Sequence, residues 1–250
     1  MKILHLDIET APHKVYSWGL WNQNISINQI VEPGYTLCWA AKWHGKAGVM
    51  YNSIHNTSEK EMLEEMIELL NQADVVVHYN GKKFDMPTLH KEFIVNDLTP
   101  PSPYKQIDLL PVVRKEFRFP SNKLDYVAQQ LKLGGKVEHK GMPLWTDCMA
   151  GVDKAWKHME KYNKQDVVLL EKLYNRLLPH IKQHPNHALY KVTDRPVCTN
   201  CGASTVHKRG VEKTKTQIYQ RYQCTGCGTW MKGGATLVPK DKRHTILTQV

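Results

Sequence analysis

Apolar and polar residues alternate from the start of the chain. Over residues 2–9, Leu4, Leu6 and Ile8 share one face of a predicted strand, and His5, Asp7 and Glu9 share the other. Residues 36–43 and 47–51 predict two further strands joined by a His44-Gly45-Lys46 turn, which makes an early antiparallel group. The period becomes helical over Glu59 to Asn71, where Met62, Leu63, Met66, Ile67 and Leu70 recur and Ser58 or Thr57 serves as N-cap. Val75-Val76-Val77 marks a buried strand within 74–79. Asp85-Met86-Pro87 opens a helix to about Val95, and Gln106 to Leu110 is a short strand. Ser121 to Leu131 reads as a helix capped by Ser121 or Asn122, and 134–152 as Gly-rich and irregular. Lys154 to Leu178 is a long amphipathic helix that Pro179 helps to end. An antiparallel set followed by alternating strands and helices predicts an α/β fold, a mixed sheet with helices packed on it.

Length and charge divide the chain. Its 250 residues suit one good-sized domain plus a small appendage. The expected division is a domain over 1–184, a linker over 185–196, a small module over 197–235 and a flexible basic tail over 236–250. Net charge is +10, and residues 186–250 carry +8 of it with 11 Lys/Arg against 3 Asp/Glu. That bias favours a polyanionic partner over mere solubility. Residues 1–7 turn acidic too soon for a signal peptide, and no apolar run approaches the roughly 18 residues of a membrane span. The expectation is a soluble cytoplasmic protein without membrane contact. Six tryptophans (Trp18, Trp21, Trp39, Trp43, Trp145, Trp156) are expected in the core.

Four carboxylates resist a purely structural explanation. Asp7 and Glu9 project from the same face of the first strand, which is either solvated or a ligand face. Asp85 is either a helix N-cap or a ligand at a Gly-containing turn after a buried strand. Asp166 falls within the inward stripe Met159, Tyr162/Asn163, Leu170, Leu173, Leu177 of the long helix, with Tyr162 one turn earlier. A carboxylate there requires a hydrogen bond, a counter-ion or a metal, because an isolated buried charge is very costly. Acidic groups gathered in a fold need cations between them, and oxygen ligands without nearby Cys favour Mg²⁺ or Mn²⁺.

These residues carry a resemblance. Asp7-Ile8-Glu9-Thr10, Asn80-x3-Phe84-Asp85 and Tyr162-x3-Asp166 resemble, in order, the three motifs of the DEDD group of 3′→5′ exonucleases in its tyrosine (DEDDy) version. The resemblance spans roughly residues 1–180, and similar chains with a zinc-ribbon tail occur in bacteriophages and bacteria. It implies a ribonuclease H-like mixed five-stranded sheet flanked by helices. It also implies hydrolysis of nucleic acid from a 3′ end with two Mg²⁺ or Mn²⁺ ions about 4 Å apart. By that resemblance Asp7, Glu9 and Asp166 hold one ion, and Asp7 holds the other with Asp85 acting directly or through water. Tyr162 orients the attacking water, since a phenol with a pKa of about 10 is a poor base at neutral pH. Asn80 hydrogen-bonds substrate, and Phe84 either packs beneath the site or joins the core. Asp108 is either a second support for the site or a strand-end cap, and His5 and His158 read as structural. A structure-specific endonuclease of the same superfamily and an inactive nucleic-acid-binding protein are the alternatives.

Cys198-x2-Cys201 and Cys224-x2-Cys227, 22 residues apart, form a strong signature of one structural tetrahedral Zn²⁺. Four thiolates leave no open coordination position, and Gly202 and Gly228 follow each pair where a knuckle turn needs backbone freedom. The intervening segment reads as a zinc-ribbon hairpin. Lys208, Arg209 and Arg221 there are candidate phosphate contacts, while Tyr219, Tyr222 and Trp230 either stack on bases or form the ribbon's small core. Cys38 and Cys148 read as isolated, reduced, buried thiols.

Overall fold

The computed structural model describes residues 1–249, so Val250 of the expected basic tail lies outside the described residues. In chain order the elements are β1 (Ile3–Thr10), β2 (Lys14–Val15), β3 (Ile30–Glu32), β4 (Thr36–Trp43), β5 (Met50–Ser53), α1 (Glu59–Gln72), β6 (Val75–His78) and α2 (Asp85–Val95). They continue as β7 (Lys105–Asp108), α3 (Leu109–Glu116), α4 (Leu124–Gln130), α5 (Met142–Met149), α6 (Asp153–Leu177), β8 (Val206–Lys213), β9 (Ile218–Cys224) and β10 (Trp230–Thr236). The chain forms two compact units, Lys2–Leu173 and, together with Met1, the segment from Tyr174 onward.

The first unit is built on a five-stranded mixed sheet of order β5-β4-β1-β6-β7. β4 runs antiparallel to β1 and β5, while β6 runs parallel to β1 and β7. β1 is therefore central, and the carboxyl ends of β1, β6 and β7 lie at one edge. Leu4, Leu6 and Ile8 pack with Met62, Met66, Leu70, Met86 and Leu89 of α1 and α2. This apolar face fixes the register, because a one-residue slip would turn every acidic side chain into that core. The opposite face of β1 is covered as well. His5 is fully buried, and α6 reaches across through Asn163 to Asp7 and through Glu171 to Lys42. The solvated-face reading of Asp7 and Glu9 is thus overturned.

Several sequence expectations shift. Helix α4 begins at Leu124 with Lys123 at its N-cap, so neither Ser121 nor Asn122 caps it. Ser121 instead accepts from the Lys123 N–H, and the Asn122 carbonyl accepts from the Tyr79 hydroxyl. Within 134–152 the chain forms α5, which buries only Leu144 and Cys148 and is too short to show a period. Trp39 and Trp156 are buried, but Trp18 and Trp21 are 99% and 83% exposed, against the expectation of core. Both belong to the segment between β1 and β4, where no sheet or helix packs on them. Cys38 and Cys148 are free and buried.

In the second unit, β8, β9 and β10 form an antiparallel sheet of order β10-β9-β8. Asn200 donates from its amide to the Leu178 and Ile181 carbonyls at 2.8 and 2.9 Å, and the Tyr174 hydroxyl lies 2.6 Å from His184 Nε2. Within the expected linker, residues 187–190 form a 3-10 turn. Within the expected tail, Val238 is buried and residues 240–245 form a 3-10 turn. No helix among the described residues is long and apolar enough to cross a membrane.

Candidate active site

The carboxyl ends of β1, β6 and β7 assemble the acidic site. Asp7 and Glu9 point from β1 toward α6, whose Asp166 faces them. One carboxylate oxygen from each of Asp7, Glu9 and Asp166 lies within 4.8 Å of the others. Asp85 is the first residue of α2, with Phe84 at the N-cap position. Its Oδ1 accepts the Ile8 N–H at 3.2 Å, so the second motif is fastened directly to the first. The simple N-cap reading of Asp85 is replaced by a cross-element bond.

The turn before Asp85 is held by crowding and by Asp108. A Cβ on Gly81 would meet His78 Cγ at 2.4 Å, so only glycine fits there. Asn80 adopts φ +70°, a left-handed conformation that asparagine tolerates. Its N–H donates to Asp108 Oδ1 at 2.8 Å, and the Lys82 N–H donates to Oδ2 at 3.3 Å. Asp108 also accepts the Leu110 N–H at 3.1 Å. Both sequence readings of Asp108 therefore hold: it caps α3 and clamps the loop that presents Asn80 and Asp85. Phe84 is 45% exposed, so it neither joins the core nor lies buried beneath the site.

Burial sets the electrostatics. Asp7 is pushed well above the usual carboxylate range by desolvation first and by repulsion from Asp85, Glu9 and Asp166 next. Glu9 rises to about 8, mainly by burial and then by Asp166. Asp85 rises to about 7 by burial, although the Ile8 N–H pulls the other way. Asp166 is also raised by burial, opposed by the charge of Lys136. Burial raises the Tyr162 hydroxyl, and the charges of Glu9 and Asp166 raise it further. The hydroxyl therefore stays protonated at neutral pH.

Three site residues were not singled out from the sequence. Lys136 pairs with Asp166 Oδ2, and its Nζ donates to the Tyr162 hydroxyl at 3.2 Å. Asn163 donates to Asp7 Oδ2 at 2.7 Å. Trp145 lies beside Glu9 and pulls its carboxyl slightly back toward the ordinary range. Asn163 was marked by its place on the inward stripe of α6. Lys136 follows Gly134-Gly135 in a segment without period, and only the fold brings it to Asp166. His5 lies outside the acidic group, with Nε2 3.2 Å from His44 Nδ1. The His158 ring is likewise outside it, with Nε2 2.9 Å from the Glu138 carbonyl.

A divalent cation fits the donor set. Asp166 Oδ1 is buried without a hydrogen-bond partner. Three clustered carboxylates share one close cationic side chain, Lys136, where full ionisation requires more positive charge. A cleft of about 710 Å³ opens beside them, lined by Asp7, Asn80, Tyr162, Arg114, Lys123 and Lys136. Its cations suit a phosphate backbone entering toward the carboxylates.

The cysteines form the second centre. Cys198 Sγ lies 3.5 Å from Cys227 Sγ, and Cys201 Sγ lies 3.6 Å from Cys224 Sγ. A tetrahedral site with Zn–S bonds of about 2.3 Å has edges of roughly 3.8 Å, so one Zn²⁺ fits. Gly202 and Gly228 take φ of +70° and +83°, and their N–H groups return to the Cys198 and Cys224 carbonyls at 2.9 and 3.0 Å. Burial pushes up the Cys198 and Cys201 thiols. For Cys224 burial acts the same way, but the Cys227 and Gly226 N–H groups outweigh it and hold the thiol low. Lys208 and Arg209 are exposed on β8. The Arg221 guanidinium lies 4.9 Å from the Trp230 ring centre, and Lys232 Nζ lies 4.9 Å from that of Tyr219.

A family model described as RNase_H superfamily matches residues 35–178, more than half of the chain. A family B DNA polymerase from the hyperthermophilic archaeon Pyrobaculum calidifontis shares the fold with a TM-score of 0.54 at 17% identity. That match covers 71% of this chain and 24% of the polymerase, so the chain spans about a quarter of the polymerase's length. No curated protein sequence matches the chain.

Proposed function

Because the chain belongs to the RNase_H superfamily, we propose that it is a metal-dependent nuclease of the DEDDy type that removes nucleotides from a nucleic-acid 3′ end. The observation that carries this reading is the convergence of Asp7, Glu9 and Asp166 within 4.8 Å, with Asp85 bonded to the same strand. Asp7, Glu9, Asp85 and Asp166 would hold two Mg²⁺ or Mn²⁺ ions. When bound, such a pair activates water and neutralises charge on a phosphodiester.

The chain's own groups supply the rest. Tyr162 keeps its proton and orients the attacking water by hydrogen bonding. Lys136 neutralises Asp166 and steadies the Tyr162 hydroxyl. Asn163 fixes the Asp7 carboxylate. Asp108 holds the turn from which Asn80 faces the cleft, in reach of substrate. Arg114 and Lys123 meet the incoming backbone. Phe84 is exposed at the start of α2, where a base or sugar can pack on it. The ribbon carries one structural Zn²⁺, and its Lys208, Arg209 and Arg221 add backbone contacts. The expected setting is the cytoplasm of a bacterium or a phage-infected cell.

The test is a 5′-labelled oligonucleotide incubated with the protein and Mg²⁺ or Mn²⁺. Stepwise shortening is expected, and Asp7→Ala or Asp166→Ala should abolish it. A persistent ladder with Asp7→Ala would falsify the ligand assignment. Cleavage of a closed circular substrate would replace the exonuclease reading with an endonuclease.

A further inference from the structure

The segment between β1 and β4 is an excursion with a fastened stem and an exposed apolar tip. It leaves β1 one residue after Glu9. At its base the Ala11 N–H donates to the Tyr35 carbonyl at 2.8 Å, and the Gly34 N–H donates to His13 Nδ1 at 2.8 Å. β2 then pairs with β3, and Lys14 meets Glu32 at 2.6 Å. The Tyr16 N–H donates to the Gln29 carbonyl at 2.9 Å, and the Gln29 amide returns to the Tyr16 carbonyl at 2.8 Å. Beyond this ladder Tyr16, Trp18 and Trp21 are 77%, 99% and 83% exposed. Large aromatic rings so open to water on an ordered stem mark a recognition surface.

The chemistry of the tip selects the occupant. From Val15 to Val31 there is no charged residue, while Asn22, Asn24 and Asn28 present exposed carboxamides. Aromatic faces stack on unpaired bases, and carboxamides match base edges. The tip offers no cation to phosphates, whereas the acidic cleft is lined by Arg114, Lys123 and Lys136. The arm grows from β1, the strand that bears Asp7 and Glu9. We infer that the arm formed by residues 12–34 is a base-stacking site, with Trp18 and Trp21 as platforms, that selects single-stranded nucleic acid for the acidic site. This rests on the nuclease reading for the identity of the acidic site, but binding alone tests it.

The experiment measures binding of the full chain to oligo(dT) and to an abasic oligonucleotide of the same length, in buffer free of Mg²⁺, Mn²⁺ and chelator, by fluorescence anisotropy over a salt series. Trp18→Ala/Trp21→Ala is expected to weaken oligo(dT) binding by about 30-fold, in line with alanine substitution of stacked aromatics. Abasic binding should change by less than about twofold, and the salt slope should stay the same, because no phosphate contact is lost. Trp18→Phe/Trp21→Phe should restore most of the affinity. Unchanged oligo(dT) binding by the alanine variant would overturn the proposal and leave the arm as a surface for a protein partner. Equal losses for both oligonucleotides would also overturn it. An absence of cleavage by the wild-type protein with Mg²⁺ or Mn²⁺ is a separate result that strikes the nuclease reading alone.

Discussion

The acidic site and the cysteine cluster gather negative ligands in opposite ways. The carboxylates come from β1, α2 and α6, separated by about 160 residues, and are set on a sheet whose apolar face is already packed. The cysteines come from two short knuckles within 30 residues of each other, in a unit with few buried apolar side chains. The first scaffold folds on hydrophobic burial and tolerates the charge cluster as a local strain. The second has so little core that a Zn²⁺ held by the four thiolates would supply much of its folding energy. On the proposed reading, a metal is a functional addition in one region and a structural necessity in the other.

The largest effect that tests this contrast is zinc removal. Chelation, or Cys198→Ser with Cys201→Ser, should unfold the ribbon, because structural zinc contributes on the order of 10 kcal/mol. Hydrogen exchange should then show β8, β9 and β10 unprotected while β1, β4 and β6 keep their protection. Protected ribbon amides in the zinc-free protein would erase the distinction.

Next comes Asp7→Asn, which removes charge at constant size. Nuclease activity should fall roughly a thousandfold or more, the several kcal/mol that metal-held charge stabilisation supplies. The metal-free variant should nevertheless melt at a higher temperature than wild type at pH 8, since one member of a repulsive cluster is gone. Calorimetry checks the second half, and an unchanged or lower melting point would contradict it.

A pH series sharpens the same point. Glu9 and Asp85 bind protons more tightly when folded, at about 8 and about 7, than in the unfolded chain at about 4. The folded state thus holds more protons between those limits, so metal-free stability is full at low pH and lost as pH rises through 7 to 8. Denaturant melts of the first unit at pH 5 and pH 8 should show this decline, and Mg²⁺ or Mn²⁺ should reverse it.

Lys136→Met should cost about 2 kcal/mol in metal-free stability at pH 8, below the roughly 3–5 kcal/mol of a fully buried broken pair because Lys136 is partly exposed. Saturating Mn²⁺ should narrow the gap. The smallest effect belongs to Tyr162→Phe. If the hydroxyl only orients water, kcat should drop about tenfold, below the range of general acid–base catalysis, with the pH profile unmoved near neutrality. A shifted profile would make the phenol an acid or base.

Much of both regions is visible in the chain. Strict alternation placed Asp7 and Glu9 together, helical periodicity put Asp166 and Tyr162 on an inward face, and the CxxC pairs marked their own ligand set. Local periods carry such information because side-chain direction follows backbone geometry. What alternation could not tell was whether the acidic face of β1 met water. That depended on α6 closing over it, from 150 residues away.

Sequence alone thus picked out the carboxylates of β1 and α6 and the four cysteines that cluster in the fold, with the element types that carry them, because each rests on spacing within one element. Tertiary structure decided the central position of β1, the pairing of Lys136 with Asp166 and the fastening of Asp85 to Ile8. It also decided that Trp18 and Trp21 stand in solvent. Those outcomes depend on which surfaces meet, and a hydrophobic residue carries no local mark of whether anything will pack on it.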